Sequence, residues 1–198
     1  SIVFLYNGKG GAGSGTIVAG GRFVLTNAHV VTDGSTICQM GVWYTNSEEQ
    51  IMPEGPPDAH GEVVSLDKKL DLAVIKLIDP ATGGATIADS ELHPSLPLHT
   101  HKPKLRDALI TLGFPKAGGA SITLSEGVYS GKLLDRQNEY YKTDATINPG
   151  SSGGGAFDER WRLIGVTTAG TTEGVTSYGL IRPAKFAVPL IEEAKKRG

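Results

Sequence analysis

Residues 144–155 read Asp144-Ala145-Thr146-Ile147-Asn148-Pro149-Gly150-Ser151-Ser152-Gly153-Gly154-Gly155. The strand-like run Tyr140–Ile147 leads into this turn, where four glycines and two serines fall within six residues. Glycine accepts positive φ and adds no side-chain bulk. A glycine two residues before a serine therefore lets neighbouring backbone N–H groups turn toward one point. Taken alone, such a run is more often a loop than a site, and its reading depends on what stands elsewhere in the chain.

Two other segments answer it. Leu25-Thr26-Asn27-Ala28-His29-Val30-Val31 is a strand ending in a small residue and a histidine. Leu70-Asp71-Leu72-Ala73-Val74-Ile75-Lys76-Leu77 places an acid at the opening of an apolar strand. A serine hydroxyl is a weak nucleophile at neutral pH, so a histidine must take its proton. A carboxylate must then fix the histidine's tautomer and stabilise the imidazolium. Preorganised donors must face the oxygen on which charge develops. A lone histidine at a strand end, or an aspartate before a strand, is the commoner structural feature. Together, in the order His, Asp, Ser, they supply what acyl transfer requires. Asp67 lies four residues before Asp71 but lacks the apolar run that follows it.

Composition sets the frame around these segments. Glycine is 27 of 198 residues, about twice the ~7% average, and has no collagen-like three-residue period. The chain is 39% hydrophobic and 20% charged, too apolar for disorder. Nineteen Lys and Arg against 21 Asp and Glu leave a net charge of −2. With no long basic run, phosphate-backbone binding, and so a nucleic-acid partner, is not expected. Cys38 cannot form an internal disulfide and reads as a packing residue; a disulfide-stapled extracellular enzyme is excluded. No apolar run is long enough to span a membrane.

Strand-like runs recur at Ser1–Tyr6, Gly15–Val18, Phe23–Thr26, Thr36–Tyr44, Gly61–Leu66, Leu72–Ile78, Ala108–Gly113, Ser121–Tyr129, Tyr140–Thr143, Leu163–Thr168 and Ser177–Ile181. Each is rich in β-branched or aromatic residues and bounded by turn formers, which predicts barrels or a sandwich. One helix is expected at the C-terminus, opened by Pro183 or Pro189, closed by Lys195–Arg197, with Leu190, Ile191 and Ala194 inward. Residues 79–103 hold four prolines and three of the five histidines and read as a connection between two lobes, residues 1–90 and 91–182, with the helix in 183–198. Asn46–His60 reads as a long exposed loop. His93, His99 and His101 match no zinc spacing and read as solvated. Trp43 and Trp161 read as packing residues.

The glycine-rich Gly8-Lys9-Gly10-Gly11-Ala12-Gly13-Ser14-Gly15-Thr16 looks like a phosphate-binding loop. Such a loop needs a lysine just before the Ser/Thr and a helix after it. Ser14-Gly15 stands where the lysine should be, and Thr16–Gly21 reads as strand and turn. A P-loop nucleotide-binding protein is thus the weakest alternative, and the stretch reads as a hairpin connection.

The three segments resemble those of trypsin-like serine proteases of the chymotrypsin fold, most closely the HtrA/Deg type. Thr26-Asn27-Ala28-His29-Val30-Val31 matches the histidine motif, Asp71-Leu72-Ala73-Val74-Ile75-Lys76 the aspartate motif, and Asp144–Gly154 the nucleophile motif. Leu163-Ile164-Gly165-Val166 resembles the strand that follows, and Gly13-Ser14-Gly15 the first hairpin. The likeness covers residues 1–192 and is poor at 46–60 and 79–103. It implies an all-β fold of two six-stranded antiparallel barrels with the site between them. His29 and Asp71 would come from the first barrel and Ser152 from the second.

The resemblance also assigns roles. Ser152 takes the nucleophile position and Ser151 the variable one before it. The N–H groups of Gly150 and Ser152 would form the oxyanion hole. Ser151 carries no charge to pair with a new N-terminal amine. No cleavage before Ser1-Ile2-Val3 is therefore expected to organise the hole. Thr146 would lie at the base of the primary pocket, with Thr168, Ala169 and Gly170 on its wall; lacking a carboxylate, it implies a small or medium uncharged residue before the scissile bond. Thr168–Gly170 could pair with an extended peptide. The expected partner is a polypeptide substrate, with no metal or organic cofactor. Relatives often carry PDZ domains and form trimers, which leaves a homo-oligomer or further domains open. The resemblance points to the cell envelope or periplasm; a cytoplasmic address stays open. The rival reading is an inactive or resting protein-binding module on the same fold.

Overall fold

The structure, a computed structural model, describes residues 2–34, 36–45, 55–82, 84–89, 92–116, 121–135, 138–173 and 176–197, with the backbone alone at 169–173 and 176–177. The expected features at Ser1, at residues 46–54 and at the side chains of Ala169 and Gly170 lie outside it.

The first barrel closes from β1 (Ile2–Tyr6), β2 (Ala12–Val18), β3 (Phe23–Thr26), β6 (Met40–Tyr44), β7 (Ala59–Asp67) and β8 (Leu72–Ile78), in the order β1-β2-β3-β8-β7-β6. Between β3 and β6, β4 (Thr32–Asp33) and β5 (Thr36–Ile37) form a separate ribbon. The second barrel closes from β9 (Ala108–Gly113), β10 (Thr123–Asp135), β11 (Asn138–Thr143), β12 (Gly155–Phe157), β13 (Leu163–Glu173) and β14 (Thr176–Pro183), in the order β10-β11-β14-β13-β12-β9. All strand pairs within the barrels are antiparallel. The helix α1 (Ala187–Arg197) follows.

Successive strand residues point to opposite faces, and this sorts the apolar side chains. Along β8, Ala73, Ile75 and Leu77 join Val24, Ile17 and Val42 inside the first barrel. Leu72 and Val74 face outward with Phe23 and Leu25. There they meet Phe114, Phe157, Leu163 and Val166 of the second barrel and Leu190, Ile191 and Ala194 of α1. Covered on both faces, β3 and β8 are apolar except for Thr26 and Lys76 rather than alternating. A smaller core of Leu109, Tyr129, Tyr141, Ala156, Ile164 and Ile181 fills the second barrel.

The structure redraws several boundaries. The glycine loop is a hairpin in which the Asn7 carboxamide oxygen accepts the N–H groups of Lys9 and Gly11, both at 2.9 Å. A strand, β2, runs on from it, so no helix N-terminus is present to hold a phosphate. Thr36–Tyr44 is not one strand: the N–H of Cys38 bonds to the Val31 carbonyl at 2.9 Å and separates β5 from β6. The helix begins at Ala187, after a short turn at Ala184–Phe186. Pro189 therefore sits in its first turn, where a missing N–H costs little.

The connection between the barrels is anchored. Pro97 accepts the N–H of Leu163, and His99 donates to the Leu163 carbonyl, both at 2.8 Å. The His93 ring lies on Tyr44 with centroids 3.8 Å apart, and burial lowers its pKa below 6.5. His99 and His101 stack at 5.1 Å. Among the described residues no group of His, Cys, Asp or Glu is arranged to hold a metal, and no helix is long and apolar enough to cross a membrane.

Candidate active site

The Asp71 carboxylate grips His29 twice. Its Oδ1 accepts the backbone N–H of His29 at 3.0 Å, and its Oδ2 lies 2.8 Å from the ring Nδ1. An ionised carboxylate only accepts hydrogen bonds, so the neutral ring carries its proton on Nδ1. That leaves the Nε2 lone pair uncommitted. His29 is half exposed and Asp71 mostly covered, with side-chain exposures of 52% and 22%. Asp71 has φ 54°, a left-handed conformation that aspartate tolerates better than bulky residues do. Its carbonyl accepts Asn27 Nδ2 at 2.8 Å, and the same Nδ2 lies 3.2 Å from Thr168 Oγ1. Asn27 thus ties the acid's backbone to the second barrel.

Ser152 lies in the turn between β11 and β12, and its hydroxyl donates to the Thr168 carbonyl at 2.9 Å. No hydrogen bond joins it to His29 among the described residues. Before it, Asn148-Pro149-Gly150-Ser151 closes with the Ser151 N–H on the Asn148 carbonyl at 3.0 Å. Proline second and glycine third, with φ 102°, is the residue pattern of a type II turn. A Cβ on Gly150 would stand 2.6 Å from the Phe114 carbonyl oxygen, so the position admits glycine alone.

Every carbonyl of this loop from Asn148 to Ser152 is held. Ser151 N–H takes the first, and Lys116 N–H takes Pro149 at 2.9 Å. Ser14 Oγ donates to Gly150 at 2.9 Å, and Thr167 Oγ1 to Ser151 at 2.6 Å. Ser14 N–H donates to the Ser152 carbonyl at 2.8 Å. The N–H groups of Gly150 and Ser152 have no acceptor among the described residues. Both residues are half-buried, where most backbone donors are paired.

Thr146 is exposed. The side chain that stands against the β14 wall is Ile147: a Cβ at Gly179 would lie 2.6 Å from Ile147 Cδ1 and 2.9 Å from Thr143 Cγ2. β13 pairs with β12 only as far as Val166, whereas its pairing with β14 continues to Glu173. Thr168 therefore opens an edge that β12 does not cover.

Sequence reasoning gave no role to Ser14, Asn27 or Thr167. Ser14 and Asn27 stood inside quoted motifs, but their partners are 136 and 141 residues away.

Residues 13–166 match the trypsin-like peptidase domain family. The chain is 26% identical over 192 residues to a probable periplasmic serine endoprotease, DegP-like, of Brucella suis, covering 94% of this chain and 33% of that one. It is 30% identical over 190 residues to a putative serine protease HhoA of Synechocystis, covering 93% and 41%. The crystal structure of the serine endoprotease from Yersinia pestis superposes with a TM-score of 0.71 at 28% identity, covering 98% of this chain and 62% of that one. The chain thus spans about a third to two-fifths of the length of these curated relatives.

Proposed function

Since the chain belongs to the trypsin-like peptidase domain family, its relatives being of the HtrA type, we propose that it is a serine endopeptidase with His29, Asp71 and Ser152 as its triad. The observation that carries this is the Asp71–His29 pair, which leaves Nε2 free, beside a serine loop with two unpaired N–H groups.

In the proposed reaction Ser152 Oγ attacks the peptide carbonyl carbon as His29 Nε2 takes its proton. The carbonyl oxygen becomes an oxyanion between the N–H groups of Gly150 and Ser152. When the C–N bond breaks, His29 gives the proton to the leaving amine. Water then attacks the ester by the same route in reverse and restores Ser152. Asp71 holds the ring throughout and stabilises its positive form. No step calls for a metal or organic cofactor.

Substrate entry fits the Thr168 edge. An extended peptide lying along β13 can donate an amide to the Thr168 carbonyl, which now holds Ser152 Oγ. The resting form is the second reading, and this Ser152–Thr168 bond favours it: the nucleophile is parked until substrate or a partner moves it. Ile147 beside Gly179, with Thr146 at the mouth and the Thr168–Gly170 wall, suits a small or medium uncharged residue before the scissile bond. An envelope location is in keeping with the periplasmic assignment of the Brucella relative, and further domains are in keeping with the greater length of the relatives.

The test is digestion of an unfolded protein with mapping of the new termini. Wild type is expected to cut after Ala, Val or similar residues. Ser152→Ala should lower the rate by roughly 10⁶ and Asp71→Asn by about 10⁴. Cuts dominated by Lys or Arg would contradict the pocket, and wild-type cleavage surviving in Ser152→Ala would contradict the mechanism.

A further inference from the structure

We propose that the hydroxyls of Ser14 and Thr167 are positioning groups that set the oxyanion hole; this rests on the peptidase reading above. Across a trans peptide the C=O and N–H point in opposite directions, and no cis peptide occurs among the described residues. Holding a carbonyl therefore aims the N–H that follows it. The two N–H groups of the hole belong to the peptides whose carbonyls are Pro149 and Ser151. The first is held by the Lys116 N–H, the second by Thr167 Oγ1 at 2.6 Å and the Gly154 N–H at 2.9 Å. Between them lies the Gly150–Ser151 peptide, whose carbonyl is held by Ser14 Oγ.

Both hydroxyls are committed to this task. Ser14 is fully buried and accepts the N–H of Phe114 at 2.8 Å on its own oxygen. Its single proton is thereby directed to Gly150. Thr167 is also fully buried and has two carbonyls in reach, Ser151 at 2.6 Å and Gly154 at 3.1 Å. With one proton to give, it serves the nearer. Without Ser14 Oγ the Gly150 carbonyl has no protein partner among the described residues, and without Thr167 Oγ1 the Ser151 carbonyl keeps the Gly154 N–H alone; turning the peptide toward solvent relieves that cost. At the Ser151 carbonyl such a turn swings the Ser152 N–H out of the hole; at the Gly150 carbonyl it moves the peptide that joins the two donors. Ser14 comes from β2 of the first barrel, so one barrel holds the loop of the other.

The test is Ser14→Ala and Thr167→Val, with Thr167→Ser as the variant that keeps the hydroxyl. Each of the first two is expected to lower kcat roughly 10- to 100-fold, below the ~10²–10³ for a whole lost donor, with KM within about twofold. A peptide aldehyde, whose adduct oxygen occupies the hole, should bind more weakly by a similar factor. Thr167→Ser should restore both. Ser65→Ala, which removes a 2.6 Å bond between a buried serine and Glu193 of α1, controls for stability alone and should leave kcat unchanged. If Ser14→Ala does not fold, the Val/Ser pair at Thr167 decides. Unchanged kcat and aldehyde affinity in an active enzyme overturn the clasp alone. A loss matched by Ser65→Ala does so too. A wild type that neither cleaves peptides nor binds the aldehyde overturns the peptidase reading with it.

Discussion

At the scale of single residues, one carboxylate can fix a backbone and a ring together. Asp71 does so for His29, and its left-handed φ presents the acid at the very start of β8. A second carboxylate makes the same chemistry measurable. Burial opposes ionisation of Asp158, but hydrogen bonds from the Arg162 side chain and from the Arg162 and Arg160 N–H groups outweigh it and hold its pKa below 3.8. A depressed folded pKa gives stability that is present above the unfolded value and is lost as pH falls through the folded one. Asp158→Asn is therefore expected to lower Tm at pH 7, with the gap to wild type closing below about pH 4. An equal gap at pH 7 and pH 3 would contradict this. The residues legible in the sequence were those whose chemistry is local to a motif: His29, Asp71 and the serine loop. Ser14, Asn27 and Thr167 act across the fold, and nothing near them in the chain announces their partners.

At the scale of elements, strands with two apolar faces were readable because their apolar runs are nearly continuous, broken in β8 by Lys76 alone. β12 was not, since three residues, Gly155-Ala156-Phe157, give no period. β10 runs past its expected end at Tyr129 because Gly131 (φ 120°) sits in a register shift rather than a turn. The segment after β9 shows how an element end can act through backbone alone. Lys116 touches the nucleophile loop by its N–H on the Pro149 carbonyl, and its side chain is exposed. Lys116→Ala should leave kcat unchanged. Lys116→Pro, which deletes the N–H, should lower kcat by roughly 10² through the Gly150 donor. Steady-state kinetics on both variants checks this, and equal rates would show that the Pro149 peptide needs no latch.

At the scale of the molecule, the two-barrel plan followed from many short strands and three motifs. How the barrels meet did not, because the shared cluster of Leu25, Leu72, Phe114, Phe157 and α1 draws on positions far apart in the chain. Asn27 and Ser14 stitch across that meeting, through Thr168 Oγ1 and the Gly150 carbonyl of the second barrel. A fluorophosphonate probe reads the outcome most directly, since it reacts only with a serine that a base has activated. Mass spectrometry of the labelled chain should place the adduct on Ser152. Labelling should survive in Ser151→Ala and vanish in Ser152→Ala and His29→Ala. An adduct on Ser151, or none on the wild type, would contradict the account.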